Sequence, residues 1–499
     1  MAVNIVTAGS DLEKRLAQRR ARRLVLVVVL ALWGLITHGT YAGTGDEPHY
    51  QIMAHSLAFD RDLDLTTDYA DLTNRSLGGR FDPGAHIFPG KDGRLRPVHD
   101  IGMPVLFAPY YALAYLVTGQ VVAHVPARWL ERARLNFNVV LRHLMSFATI
   151  GLTAGIAVRL LEIFTMLAGA GRRAFAWALL MVLSPPLMSH SFLFFTEIVS
   201  AFIALNVFVW LRSANTMGHE MPGRVQGLIA GSAIGFLLLL HARNAGLIAG
   251  LLILAWRRWR HWPDRGATAA LIGGALVLFA IRTAVTYHFW GTWLTTPHAR
   301  LGAMSGLGPM AAESITRIAG WLFDQEHGLL PYAPIYVLVP AGWLALRRRD
   351  RALCADITTV VGAYVAVMTM PFLNAHGWRG GWTPAARFLV PVAPFLGILA
   401  FSAVAQVPRL PGVAIAIVGL QLCLDALLWQ YPGLLWNDGI GTSALLKFLD
   451  GGTGRLSSYL PSIFPPLAAR TVVILAVASV LWVGLTVWLS SNRRTPTQA

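Results

Sequence analysis

The sequence contains few cysteines and few charged residues for a chain of 499 amino acids. Its two cysteines, Cys354 and Cys423, both lie in or beside apolar segments, so neither a disulfide framework nor a cysteine metal site is predicted. Only 13% of the residues are charged, whereas soluble domains carry about 25%. The chain also lacks a Walker motif, a nucleophile elbow and a dinucleotide fingerprint, which leaves an ATP or nucleotide-sugar site unsupported.

Hydrophobic residues make up 55% of the chain, and the mean hydropathy is +0.54. Apolar runs of membrane length recur from one end to the other, which predicts an all-α, polytopic integral membrane protein. The net charge of +16 would suggest nucleic acid in a soluble protein. No basic-aromatic module is present and the excess lies in short loops, so we predict contact with membrane lipids and no nucleic-acid partner.

The number of crossings follows from the length of the apolar runs. We predict about 12 transmembrane helices, with a range of about 11 to 13. The first, at residues 24–42, follows an arginine cluster that belongs on the cytoplasmic side, so the chain leaves the membrane outward. The other predicted crossings lie at residues 136–160, 174–190, 197–212, 226–241, 244–256, 267–287, 331–347, 353–373, 387–405, 412–430 and 470–489.

Basic clusters between the crossings fix the predicted orientation. With both termini cytoplasmic, the clusters all fall inside, provided that residues 101–125 do not cross the membrane as a single span. We therefore predict that this stretch is an interfacial helix or a hairpin, because Pro104, Pro109 and Gly119 interrupt it. Residues 225–256 are open to two interpretations, two short helices or one long helix.

The inner loops are short and basic, so the bulk outside the lipid faces outward and the chemistry is expected there. The predicted parts are a basic cytoplasmic N-terminus at 1–23, a transmembrane module at 24–405 whose first outer loop at 43–135 carries interfacial helices, and C-terminal transmembrane helices at 406–499 with a short outer loop at 431–469.

Three acidic residues are candidates for chemistry. Asp46 and Glu47 stand in the motif Gly45-Asp46-Glu47-Pro48-His49-Tyr50, directly after the first span. A partly desolvated carboxylate there would have its pKa raised into the range of a useful base. The alternative is a pair of solvated acids at a helix end. Glu197, at the outer end of a crossing, is either paired or functional, or else it snorkels to the interface.

Two arginines are candidates for binding a phosphate. Arg243 lies with His241 at a predicted outer turn, and Arg387 opens a span after a Gly-Gly-Trp-Thr-Pro sequence. A guanidinium at headgroup level suits a phosphate or pyrophosphate, although each could equally contact an ordinary lipid headgroup. His376 and Arg379 belong to the same loop as Arg387 and are secondary candidates.

No metal site is predicted, although a divalent ion stays open as an alternative. Asp60-x-Asp62-x-Asp64 resembles the start of a calcium loop, but the glycine and the distal glutamate of that loop are missing. His99-Asp100 could orient a ligand or serve only the fold. Four other histidines are scattered and show no ligand spacing; these are His86, His288, His298 and His327.

Taken in order, these elements resemble the GT-C-type integral membrane glycosyltransferases, in the bacterial branch related to protein O-mannosyltransferases and lipid A aminoarabinose transferases. The resemblance covers about residues 20–400 as an order of elements. It rests on the motif at residues 45–50, residues 55–69, Arg134, the stretch from Ser184-Pro185-Pro186 to Glu197, and Arg387-Phe388-Leu389-Val390-Pro391-Val392-Ala393-Pro394.

The resemblance implies a GT-C-like catalytic module and a sugar donor linked to a polyprenyl phosphate. The sugar would be transferred, with inversion at the anomeric carbon, to an acceptor hydroxyl at the outer face of the bacterial cytoplasmic membrane. The acceptor is an unknown glycan, lipid or protein. The C-terminal outer domain of the aminoarabinose transferases is large, whereas this chain has only the loop at 431–469.

The resemblance also implies roles for particular residues. Asp46 would be the base, Glu47 would assist it, and Glu197 would be a second outer acid. Arg243 and Arg387 would stabilise the lipid phosphate as it leaves. The residues placed beside them in substrate binding are His49, Tyr50 and His99.

Alternative functions remain compatible with a polytopic chain. A transporter or flippase of lipid-linked saccharides would require polar residues through the bilayer midplane and an internal repeat, and the sequence shows few of the former and no repeat. A membrane assembly protein could keep the fold without the activity. A ligase or polymerase of surface polysaccharide would use a related substrate at a different site.

Overall fold

Helices dominate the computed structural model, as the sequence predicts, and the all-α polytopic class is confirmed. The described part also contains one short antiparallel hairpin, which was not predicted, formed by strands β1 (Ile87–Pro89) and β2 (Leu95–Pro97). The structure describes residues 2–38, 45–69, 86–213, 223–259, 264–294, 307–370, 378–405, 412–437, 439–463 and 469–491.

The helices are numbered here in chain order. They are α1 (Ala2–His38), α2 (Glu47–His55), α3 (Gly102–His124), α4 (Ala127–Arg132), α5 (Phe137–Ala168), α6 (Arg172–Val182), α7 (Leu187–His190), α8 (Thr196–Ser213), α9 (Arg224–Leu240), α10 (Ala245–Trp259), α11 (Arg265–Trp290), α12 (Leu307–Phe323), α13 (Val339–Arg349), α14 (Arg351–Thr369), α15 (Ala393–Ser402), α16 (Gly412–Gln430), α17 (Ala444–Leu449) and α18 (Ala469–Ser491).

Within the described residues, 8 helices are long and apolar enough to cross a membrane, by length and composition. They lie in α1, α3, α5, α8, α11, α14, α16 and α18, and shorter apolar helices lie at Arg224–Leu240 and Arg387–Ser402. Three predicted crossings contain broken helices: the segments at 174–190, 331–347 and 387–405 each pass through a proline-containing turn. Proline has no N–H to donate and therefore interrupts the helical ladder.

The stretch 101–125 contains one continuous helix, α3 (Gly102–His124), so the hairpin interpretation is wrong. Pro104 lies in the first turn, where backbone N–H groups have no helical partner in any case, and Pro109 is accommodated inside the helix. The interfacial placement of α3 stays a prediction. Residues 225–256 fold as two helices, α9 and α10, separated by the 3₁₀ turn Ala242–Asn244.

Glycines allow α9 and α11 to approach each other closely. Gly227, Gly231 and Gly235 recur at four-residue spacing, which places them on one face of α9. A Cβ atom on Gly231 would lie 1.9 Å from the carbonyl oxygen of Leu271 on α11. Close backbone packing through small residues is typical of helix pairs in membranes, where dispersion contacts drive association.

Candidate active site

Asp46, Glu197, Arg243 and Arg387, all predicted from the sequence, form one continuous chain of ion pairs. Arg387 donates from Nη2 to Asp46 Oδ2 at 2.5 Å and from Nε to Glu197 Oε1 at 2.7 Å. Arg243 donates from Nη2 to the same glutamate oxygen at 2.8 Å. Two carboxylates thus balance two guanidiniums, and we call these four residues the ion-pair chain.

Each member of the ion-pair chain stands at the start of a helix or in a turn. Asp46 immediately precedes α2, and Glu197 is the second residue of α8. Arg243 lies in the 3₁₀ turn between α9 and α10, and Arg387 begins the 3₁₀ helix Arg387–Val392. The first turn of a helix carries unpaired N–H groups, so the helix start itself favours the Glu197 carboxylate.

Two glycines let the neighbouring loops close around the ion-pair chain. Gly45 has φ of +50°, and a Cβ there would lie 3.3 Å from the Phe195 ring. The Gly380 carbonyl accepts a hydrogen bond from Arg387 Nη1 at 3.0 Å, and a Cβ on Gly380 would lie 2.5 Å from Thr383 Oγ1. Glycine fits both positions because it has no side chain to place there.

Asp46 is the most accessible member of the ion-pair chain. Its side chain is 22% exposed, whereas that of Glu197 is 1% exposed and those of Arg387 and Arg243 are 7% and 8% exposed. Burial raises the pKa of Asp46, but the charges of Arg387 and His99 oppose this and hold the pKa well below its usual value. The expected rise in pKa is therefore wrong, because the expectation included desolvation but not the partner cation.

Glu47, the neighbour of Asp46, has a backbone contact. The residue is 2% exposed, and its Oε1 accepts a hydrogen bond from the backbone N–H of Phe194 at 3.0 Å. This bond joins the start of α2 to the segment that leads into α8, and thereby helps to bring Asp46 towards Glu197. A direct role of Glu47 beside the base stays a prediction.

A group of imidazole rings lies next to Asp46. His49 stacks on His86 with ring centroids 3.6 Å apart, and His86 Nδ1 is 2.8 Å from His99 Nε2. Burial, followed by the charges of His86 and His99, lowers the pKa of His49 to about 2, so this ring is neutral at physiological pH. His86, which shows no ligand spacing in the sequence, lies against His99 because the β1–β2 hairpin brings the two together.

Asp46, His86 and His99 are the described residues that could hold a divalent cation. Their donor atoms all lie within 4.8 Å of one another, and a carboxylate with two imidazoles is a common ligand set for transition metals. The two ring nitrogens are already hydrogen-bonded to each other, and Asp46 is bonded to Arg387. A bound cation would therefore have to replace the hydrogen bond between the histidines.

Two buried side chains near these groups have a polar atom without a hydrogen-bond partner in the described part of the chain. They are Tyr50, at its hydroxyl, and His190, at Nε2. Tyr50 lies with its ring 5.0 Å from that of His99. His190 was missed from the sequence; its signal was its place between the double-proline motif and Glu197. Unpaired buried atoms of this kind are those that a bound ligand would satisfy.

Asp100 does not belong to the ion-pair chain, but it contacts the turn that carries Arg243. Its Oδ1 accepts a hydrogen bond from Arg282 Nε at 3.2 Å, and its Oδ2 accepts one from the backbone N–H of Ala242 at 3.0 Å. These bonds fix the segment before α3 to the turn that carries Arg243. The two neighbouring residues therefore have different contacts. His99 lies towards Asp46, and Asp100 binds the turn that carries Arg243.

The other candidates lie outside this cluster. Asp62 Oδ1 accepts hydrogen bonds from the backbone N–H of Asp64 and from the Ser56 hydroxyl, an arrangement typical of a turn. The Arg379 guanidinium lies over the Trp378 ring at 5.4 Å. His298 and His376 lie outside the described residues.

No protein-family model and no curated protein sequence matches the chain. Solved structures that are similar to it include the following two. One is ArnT from Cupriavidus metallidurans bound to undecaprenyl phosphate, with 13% identity, a TM-score of 0.45, and coverage of 94% of this chain and 74% of ArnT. The other is the Archaeoglobus fulgidus oligosaccharyltransferase in complex with Zn and sulfate, with 14% identity, a TM-score of 0.42, and coverage of 87% of this chain and 56% of that protein.

Proposed function

We propose that this protein is a membrane glycosyltransferase of the GT-C type, which transfers a sugar from a polyprenyl-phosphate donor to an acceptor hydroxyl. The observation that carries the proposal is the ion-pair chain, which is buried except at Asp46. A buried group of two carboxylates and two arginines is costly to assemble in an apolar protein unless it serves a function. Its one accessible end presents a carboxylate, the group that a hydroxyl acceptor requires.

Asp46 is the proposed base. The acceptor oxygen attacks the anomeric carbon from the face opposite the phosphate, and the bond between that carbon and the phosphate oxygen breaks. The bonding electrons leave with the phosphate, and the hydroxyl proton passes to Asp46. The configuration at the anomeric carbon is inverted by this single displacement.

Arg387 couples the two halves of the reaction. It is bonded to Asp46 through Nη2 and to Glu197 through Nε, so it is pre-oriented by two carboxylates. When the proton neutralises Asp46, Nη2 loses its anionic partner and becomes available to the departing phosphate. Arg243 and Glu197 hold the guanidinium in place during this exchange, which is a form of electrostatic preorganisation.

The proposed site faces the periplasm of a bacterial cytoplasmic membrane, with both chain termini in the cytoplasm. This orientation follows from the arginine clusters between the spans. A reporter that is active only in the cytoplasm should therefore be active when it is fused to the C-terminus, and a reporter that is active only in the periplasm should be inactive there.

Transfer of radiolabelled sugar from a panel of polyprenyl-phosphate donors tests the proposal in membranes that contain the full chain. Transfer by the wild type that collapses in Asp46→Asn supports the reaction and its base together. Glu162→Gln, which changes a carboxylate that is 50% exposed, is the matched control and should keep full activity. Full activity in Asp46→Asn would refute the assignment of the base. Absence of transfer with every donor would refute the proposed reaction and favour a transporter or an assembly protein.

A further inference from the structure

Arg142, on α5, differs from every other buried arginine of the described residues. It is 7% exposed, yet its guanidinium forms no hydrogen bond, no ion pair and no ring contact with the described residues; its backbone carbonyl accepts a hydrogen bond from the Ser146 hydroxyl. The other buried arginines each touch a carboxylate; these pairs are Arg96–Asp92, Arg243–Glu197, Arg282–Asp100, Arg317–Glu313, and Arg387 with both Asp46 and Glu197.

A second polar side chain without a partner lies one helical turn from Arg142. Asn138 is 8% exposed, its amide makes no hydrogen bond to the described residues, and its Oδ1 is fully buried. Residues four apart lie on one face of a helix, so the two side chains share a face of α5. Because a guanidinium is always charged, burying one beside an unbonded amide is unfavourable unless a ligand completes the arrangement.

Arg142 lies at the same end of the helix bundle as Asp46. Trp33, near the end of α1, packs against Phe147 on α5 with ring centroids 5.7 Å apart. The chain enters the Asp46 motif soon after α1 ends, and α5 begins at Phe137, five residues before Arg142. The end of α1 that leads to Asp46 is therefore the end against which the first turns of α5 pack.

Hydrogen bonds connect the Arg142 face of α5 to the proposed site. Ser146, one turn beyond Arg142, donates to the carbonyl oxygen of Phe192 at 2.8 Å. Two residues further along, the backbone N–H of Phe194 donates to Glu47 at 3.0 Å. The same short segment thus contacts both the Arg142 face of α5 and the neighbour of Asp46.

The side chains of Arg142 and Asn138 suit a ligand that carries a phosphate. Five N–H donors in a fixed plane fit the oxygens of a phosphate, and an amide can donate to a phosphate oxygen and accept from a sugar hydroxyl. Arg243 and Arg387 are already neutralised by two carboxylates, so the ion-pair chain offers a phosphate no net positive charge. Arg142 does offer it.

We propose that Arg142, assisted by Asn138, binds the phosphate group of the lipid-linked donor before transfer. The inference rests on the proposed function, because that function supplies the lipid-linked phosphate. It assigns the ground-state phosphate site to Arg142 and leaves to Arg387 the charge that develops when the phosphate departs.

Binding of polyprenyl phosphate to the purified full-length protein, measured calorimetrically without turnover, tests the proposal. Arg142→Met should weaken binding by about ten- to hundredfold, the equivalent of losing charge-assisted hydrogen bonds. It should also leave the free protein as stable as the wild type or more so, because an uncompensated buried charge is removed. Arg142→Lys should bind with intermediate affinity. Arg159→Met, on the same helix but with its side chain 40% exposed, should bind normally.

Several outcomes would overturn the proposal. Unchanged affinity in Arg142→Met, or a lower stability of the free variant with unchanged affinity, would show a purely structural role. Equal Arg142-dependent binding of phosphatidylglycerol would assign the site to bulk lipid headgroups, and equal binding of inorganic phosphate would assign it to the free ion. Arg142-dependent binding without transfer from any donor would refute the proposed reaction, whereas normal transfer and binding in Arg142→Met would refute this inference alone.

Discussion

The ion-pair chain depends on one carboxylate oxygen, and its removal gives a quantitative test. Glu197 Oε1 accepts hydrogen bonds from Arg387 Nε at 2.7 Å and from Arg243 Nη2 at 2.8 Å, and its side chain is 1% exposed. Glu197→Gln keeps the size of the side chain and removes its charge. The cluster would then hold two guanidiniums against the single carboxylate of Asp46.

The expected loss of stability follows from burial. Removing one partner of a buried ion pair costs about 3–5 kcal/mol, because the other charge is left without compensation. The glutamine oxygen can still accept one hydrogen bond, which retains part of the interaction, while Arg243 loses its only carboxylate among the described residues. We therefore expect the free energy of unfolding to fall by about 3–5 kcal/mol.

Equilibrium unfolding in mixed detergent micelles measures this change. The double variant Glu197→Gln with Arg243→Met should recover much of the loss, because the uncompensated cation is removed with its partner. Glu162→Gln is the control; its carboxylate is exposed and paired with Arg159, so the change should stay within about 1 kcal/mol.

A loss in Glu197→Gln no larger than that in the Glu162→Gln control would refute this reasoning. It would mean that water or lipid headgroups stabilise the two arginines, and that the ion-pair chain is not closed to solvent. Failure of Arg243→Met to restore stability would show that the glutamate acts through a contact other than these ion pairs.

Three further predictions concern titration and packing. Because the pKa of Asp46 is held well below its usual value, its ion pair contributes to stability at all pH values above about 4, and transfer by the wild type should show no acidic limb near pH 6. Burial and then Asp60 raise the pKa of Asp68 to about 7, so stability is lost as the pH rises from about 4 through that value, and Asp68→Asn should stabilise the protein more at pH 8 than at pH 5 in unfolding experiments. Gly231→Ala should destabilise the protein by about 1–3 kcal/mol through overpacking. Gly273→Ala is the control, because a Cβ atom there would have no neighbour within 4 Å. Equal effects of the two substitutions on the melting temperature would contradict the close packing of α9 on α11.

Charged residues at the edges of apolar segments were the signal that identified the site. Asp46, Glu197, Arg243 and Arg387 each interrupt or border hydrophobic sequence, where an ionised group is rarely placed without a reason. The pairs among them could not be predicted, because Asp46 and Arg387 are separated by 341 positions. Local patterns contain no information about contacts across that distance.

The helix boundaries also depend partly on local sequence and partly on packing between distant parts of the chain. The helical segment that begins at residue 172 ends at Val182, shortly before the double proline at 185–186, where two successive residues lack an N–H for the backbone ladder, although the predicted crossing at 174–190 ran through this point. The continuity of α3 through Pro109 was missed, since a helix packed against its neighbours tolerates a proline that an isolated helix would not.

The sequence by itself determined that this is an all-α membrane protein, because only segments that satisfy their own backbone hydrogen bonds can cross a bilayer. It also identified which charged residues border the apolar segments. The tertiary structure alone decided the sign of the pKa shift of Asp46, the pairing of Arg243 and Arg387 with carboxylates, and the lack of a carboxylate partner for the Arg142 guanidinium among the described residues. Electrostatic energies depend on the distance between charges and on the burial of each, and both are fixed only when remote parts of the chain meet.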